Sequence, residues 1–154
     1  MASKGQMTGM LGVYLTAVEL VKRGFIVSPT SRSAMGADLL VTDQRCCKAW
    51  SVQVKTNAGI ARYWLVSPKS EEAVSPSHIY AFVNVPKPQN RQKEPQFYIV
   101  PSRVVAAKFK TTPPRGPRGS IWHYFERDEA YRDNWRVFGN PMGSTPTKRS
   151  STRK

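Results

Sequence analysis

Apolar residues in the first part of the chain recur at helical spacing. Leu11, Tyr14, Leu15, Val18 and Val21 fall three or four apart, and Ala17 and Leu20 widen the stripe. Gly12, Thr16, Glu19, Lys22 and Arg23 lie on the other side. The spacing predicts a helix from Gly9, capped by Thr8, with residues 1–8 as a flexible leader. Gly24 after Lys22-Arg23 predicts its end: glycine tolerates a left-handed backbone, and cations suit a helix C-terminus. The period then changes to two. Strands are predicted at 25–28, 37–42 (ADLLVT), 49–56 (AWSVQVKT), 63–66, 78–85 (HIYAFVNV) and 96–100, several of them closed by proline. A polar turn is predicted at 43–48, and a short helix capped by Ser102 at 102–109. Residues 111–119 read as a Pro/Gly/Arg loop and 121–125 as a short apolar segment. A closing helix is predicted at 127–135, with Tyr131 and Trp135 on one face. Together these elements imply an α/β (α+β) fold with a mixed central sheet flanked by helices. One domain over 9–139 is expected, followed by a disordered basic tail at 140–154.

Charge changes the picture most. Lys plus Arg number 24 against 10 acids, a net charge of +14. The tail contributes Lys148, Arg149, Arg153 and Lys154 without an acid, and the balance is still +10 without those four. A polyanion such as nucleic acid is the natural partner of such a surface, because each cation that meets a phosphate releases counterions; a basic surface kept for solubility is the alternative. No apolar run approaches the roughly 20 residues of a membrane helix. Residues 1–6 lack the apolar core of a secretory signal, so a cytoplasmic location is expected. Cys46 and Cys47 are adjacent, match no zinc or redox spacing, and read as free thiols.

Strand alternation isolates the candidate chemistry. In residues 49–56, Trp50, Val52 and Val54 point to one face, and Ser51, Gln53 and Lys55 to the other. Asp38 sits in the preceding strand among Ala37, Leu39 and Leu40, within reach of Gln53 across a hairpin. An acid, a neutral oxygen and a lysine around one point suit a divalent ion, Mg²⁺ or Mn²⁺. Asp38, Gln53 and the backbone carbonyl of Val54 are the expected metal ligands, and Asp38, Gln53 and Lys55 the expected catalytic set. Gln53 and Lys55 on the solvated face of an ordinary strand is the bland alternative. Arg32, Thr56, Asn57, Arg115 and Arg118 are candidate nucleic-acid contacts. Of Tyr63 and Trp64, one is expected in the core and the other free to stack on a base; Trp122, Tyr124, Tyr131 and Trp135 are expected in the core or a dimer contact.

The segment RGFIVSPTSRSAMGADLLVTDQ, followed by SVQVKTN, resembles the PD-(D/E)XK nuclease superfamily, and more distantly Holliday-junction resolvases. FYIVPSRVV and the closing YRDNW add to the likeness. Asp38 matches the first acid, and Gln53-Val54-Lys55 matches acid-x-Lys with glutamine in place of the acid. The resemblance implies a restriction-endonuclease-like core, a metal-dependent endonuclease activity on DNA, and a homodimer. Val13 stands where relatives often carry a glutamate in the first helix. The alternative is therefore a non-catalytic nucleic-acid binder on the same fold with a degenerate site. A third reading is an interaction protein whose basic tail docks on RNA-rich particles.

The charge balance predicts nucleic-acid binding that weakens by orders of magnitude over a few-fold rise in salt. Truncation after Gly139 is expected to weaken binding and flatten the salt slope. Fluorescence anisotropy across a salt titration checks both. Affinity indifferent to salt, or to the truncation, would contradict them.

Overall fold

The computed structural model describes residues 1, 3–31, 36–87, 93–114 and 119–143. Helix α1 (Lys4–Lys22) leads into five strands of one sheet: β1 (Ile26–Pro29), β2 (Leu39–Thr42), β3 (Ala49–Ala58), β5 (His78–Val85) and β6 (Gln96–Pro101). Their order in space is β1-β2-β3-β5-β6. β3 and β5 run parallel over eight residue pairs, and the other neighbours are antiparallel, so the sheet is mixed. The crossover between β3 and β5 carries β4 (Tyr63–Leu65) and a 3₁₀ turn (Pro68–Glu71). β4 leaves the main sheet and pairs with β8 (His123–Glu126), which also pairs with β7 (Lys110–Thr111). Helix α2 (Ser102–Lys108) follows β6. The fold is α+β, with a mixed central sheet and helices on its two faces, as the order of elements predicts.

Each face of the sheet has its own core. Val52, Val54, Ile79 and Ala81 pack on the α1 side with Leu20, Phe25, Trp135 and Phe138. Tyr80, Phe82, Tyr98 and Val100 pack on the other side with Trp64, Phe125 and Val105 of α2. Trp64 donates its indole N–H to the carbonyl of Val83 at 3.0 Å, which fixes β4 against β5.

Several local expectations are corrected. α1 begins at Lys4, because Ser3 and Gln6 form a capping box: Ser3 Oγ accepts from Gln6 N, and Gln6 Oε1 from Ser3 N. Residues 4–8 are therefore helix, not leader, and Thr8 is no cap. The inward face of α1 also differs from the apolar stripe. Gly12, Thr16 and Leu20 are buried, while Leu11, Tyr14, Val18 and Val21 are exposed. The reason is distance. The helix lies so close to β3 that a Cβ on Gly12 would stand 1.9 Å from Thr56 Oγ1. Large side chains do not fit there, and they turn outward. Gly24, at φ +89°, ends the helix as its position predicts.

The closing helix does not form. Residues 129–131 and 135–138 are separate 3₁₀ turns, and Asp133 between them has a positive φ. Asp128 caps the first turn by accepting from Ala130 N, and the chain leaves the helical conformation at Arg132, which is extended. Tyr131 packs against the second core and Trp135 lies in the first, so they share no helix face. Ser102 is not a cap; its hydroxyl bonds Ser75 in both directions. Asn140–Gly143, expected in the tail, belong to the fold: Gln44 N donates to the Pro141 carbonyl. Residues 144–154 lie outside the described residues.

Gly12→Ala is expected to lower stability by about 1–3 kcal/mol through overpacking, although alanine is the better helix former by about 1 kcal/mol. The loss should shrink in a Thr56→Ala background. Urea unfolding of the two single variants and the double variant reads the coupling. A Gly12→Ala protein as stable as the wild type would show that α1 moves off the sheet freely.

Candidate active site

β3 is paired with β2 over Ala49–Val52 and with β5 over Ser51–Ala58, so its side chains cannot change face. Trp50, Val52, Val54 and Thr56 point toward α1, and Ser51, Gln53, Lys55 and Asn57 point away. Asp38 meets this outer row from the end of β2. The β2–β3 ladder runs as far as Leu39↔Val52. Beyond it, Asp38 N donates to the Val52 carbonyl at 2.8 Å, and the Asp38 carbonyl accepts from Thr30 N at 3.0 Å. The Asp38 side chain then replaces the missing strand. Its Oδ2 accepts from Val54 N at 2.7 Å and from Gln53 Nε2 at 2.6 Å. The carboxylate is thus held by one backbone and one side-chain donor.

This arrangement fixes which atoms remain for chemistry. With Nε2 on the carboxylate, Gln53 has Oε1 left to bind elsewhere. Asp38 Oδ1 takes no hydrogen bond among the described residues. A strand residue's N–H and C=O share an edge, which puts the Val54 carbonyl on the edge that Asp38 occupies. Lys55 is half-buried, two residues beyond Gln53 on the same face. No carboxylate lies within ion-pair distance of it among the described residues. These oxygens are hard donors of the kind Mg²⁺ takes, and they include one carboxylate. No group of three His, Cys, Asp or Glu able to hold a metal occurs among the described residues. Glu19 supplies no second acid: Lys22 and Arg23 bind it at 2.9 and 2.6 Å and hold its carboxyl below the usual range.

The other candidates divide. Asn57 lies in the same row and donates to the Tyr63 carbonyl and to Asn84 Oδ1. Thr56 is not in the row; its hydroxyl faces α1, buried and without a hydrogen-bond partner. Arg32, Arg115 and Arg118 lie outside the described residues. Trp64 is core and Tyr63 is exposed. Trp122, expected in the core or a dimer contact, is exposed as well. Buried Asn84 was missed by the sequence reading. An asparagine inside HIYAFVNV was the available signal, since a buried amide in an apolar strand needs partners. Cys46 and Cys47 are free and exposed.

Among solved structures, the chain is similar to that of a bacterial homing endonuclease, I-Ssp6803I. The TM-score is 0.52 and the sequence identity 18%, over 89% of this chain and 91% of that one. At this identity the likeness shows a shared fold. No family model matches the sequence, and no curated protein matches it. No helix among the described residues is long and apolar enough to cross a membrane.

At the near end of the row, Ser51 Oγ and His78 Nδ1 stand 2.8 Å apart. His78 is buried, edge-on to Tyr80. Burial holds its imidazole below the ordinary value of 6.5. Well above that value the ring is neutral folded or unfolded, and contributes nothing to pH dependence. As the pH falls below it, the unfolded chain takes up the proton first, so stability falls. The carboxyl groups of Glu19, Glu126 and Asp128 titrate lower and act in a more acidic window. Urea unfolding at about pH 7.5 and about pH 5.5, straddling the free imidazole value, should show the drop. His78→Asn should flatten it, and an unchanged drop in that variant would remove His78 as the cause.

Proposed function

We propose that the chain is a metal-dependent endonuclease of PD-(D/E)XK type that hydrolyses phosphodiester bonds in DNA. The contact of Asp38 Oδ2 with Gln53 Nε2, and Lys55 next on the same face, carries this reading. The fold shared with a homing endonuclease and the charge of +14 support it. Asp38, Gln53 through Oε1 and the Val54 carbonyl would hold Mg²⁺ or Mn²⁺. Such an ion, when bound, polarises the phosphodiester and makes water a better nucleophile. Lys55 offers three donors to the phosphate oxygens, where negative charge grows in the transition state, or to the attacking water. Asp38 keeps the end of β2 on β3 and so fixes the distance between Lys55 and the scissile group. Asn57 would touch the DNA further along the same row.

The outward face of α1 supports a homodimer. Met7, Leu11, Tyr14, Val18 and Val21 are exposed at alternating spacings of four and three, the seam of a two-helix contact, and a second copy of the chain presents the matching seam. The single carboxylate favours one second reading, a nucleic-acid binder on this fold without catalysis.

Gln53→Glu separates the two. In the endonuclease reading the new carboxylate adds charge beside a dication, so Mn²⁺ binds more tightly and cleavage persists to lower Mg²⁺. Without metal the two carboxylates repel, so the variant loses stability that Mn²⁺ restores. Asp38→Asn keeps an oxygen for Val54 N while removing the charge, and should abolish Mn²⁺ binding. Lys55→Ala should leave Mn²⁺ binding in place and cut plasmid cleavage by orders of magnitude. Calorimetry of Mn²⁺ into each protein, with plasmid cleavage in parallel, reads all of this. Identical isotherms for the wild type, Gln53→Glu and Asp38→Asn would leave the binding reading in front.

A further inference from the structure

The outer face of the small sheet carries a groove of about 1050 Å³ that the proposed chemistry does not use. Its walls include Asn57, Arg62, Tyr63, Leu65, Trp122 and Tyr124. Strand alternation explains why aromatic residues are found there. In β4 and β8 the pair Trp64↔Phe125 points inward, and both rings are buried against Phe82. The pairs on either side, Tyr63↔Glu126 and Leu65↔Tyr124, therefore point outward. Tyr63 and Trp122 are 55% and 53% exposed, too much for rings that serve the core. Tyr63 stands edge-on to Tyr124, centroids 5.7 Å apart, which holds its ring in place. Trp122 is fixed through its backbone: its N–H donates to Thr112 Oγ1, and its carbonyl accepts from Thr112 N.

The groove continues the site on β3. Asn57 is at once the last member of the Gln53–Lys55–Asn57 row and part of the groove wall. At about 3.3 Å per strand residue, Lys55 and Asn57 are about 7 Å apart, roughly two base-stacking rises along a strand. Exposed aromatics beside an arginine make a stacking platform for bases, which every base can use because each has a π-face. Paired bases cannot reach it, since their faces are covered by their neighbours. We infer that this groove binds an unpaired nucleobase of the DNA strand, a few nucleotides from the phosphate at Lys55, by stacking on Trp122 and Tyr63. The position along the strand rests on the endonuclease reading; the stacking itself does not.

The test uses the full chain in EDTA at one fixed salt concentration, so neither cleavage nor metal enters. The probes are a dT oligonucleotide and an abasic oligonucleotide of the same length, which carry the same phosphates and differ only in bases. The wild type should bind the dT strand about tenfold or more tightly than the abasic one. Trp122→Ala, which keeps both backbone bonds to Thr112, should reduce that preference to near unity and leave abasic affinity unchanged. Tyr63→Ala should reduce it in part. Equal wild-type affinity for the two strands, no binding to either, or an undiminished preference in Trp122→Ala would each overturn the assignment. The Mn²⁺ titrations on the protein alone judge the endonuclease reading separately, so either can fail without the other.

Discussion

β3 has neighbours on both edges, antiparallel β2 on one and parallel β5 on the other. That double pairing makes its alternation binding on the whole molecule. Val52 and Val54 have to be covered, and α1 covers them; the opposite face is left to Ser51, Gln53, Lys55 and Asn57. The close approach of α1 at Gly12 and the small sheet anchored through Trp64 follow from that division. So does the placement of the candidate chemistry beyond the end of β2, where β3 has lost one of its partners.

Asp38 shows how structure and candidate chemistry share one group. The hairpin ladder ends at Leu39, which would strand the Val54 N–H on an open edge. Asp38 Oδ2 takes that N–H and the Gln53 amide together. One oxygen of the carboxylate is thereby committed to holding strands, and Oδ1 takes no hydrogen bond among the described residues. The glutamine then has a physical rationale. An acid at position 53 would set a second carboxylate against Asp38 and need a cation between them; the amide donates to Asp38 and needs none.

β3 was legible in the sequence because its two faces differ from Trp50 to Lys55, and so was the neighbourhood of Asp38 and Gln53, since a hairpin of this length leaves little choice of register. The helix face was not. Apolar periodicity identifies a face on the assumption that large residues go inward, and at Gly12 and Thr16 the sheet is too near for them. The small sheet was missed for a different reason. Its strands have three, four and two residues, and β4 finds β8 some sixty residues along the chain, so the pairing has no local pattern. The closing helix failed at Arg132 and Asp133, whose extended and left-handed backbones outweigh a Tyr131–Trp135 spacing that suits a helix.

Folding accounts for most polar groups near the row. Ser51 has His78, Gln53 has Asp38, and Asn57 has Asn84, which itself donates to the Ala61 carbonyl. Two features stand outside that scheme: the Lys55 ammonium, which forms no ion pair among the described residues, and the outward aromatics of the small sheet. An unpaired lysine and exposed rings gain nothing from the core. Sites where local rules are broken inside an otherwise consistent fold are where function is expected. Here both lie on one side of the main sheet and meet at Asn57. An anion with flat, apolar rings attached at regular intervals satisfies both at once, and a DNA strand has that chemistry.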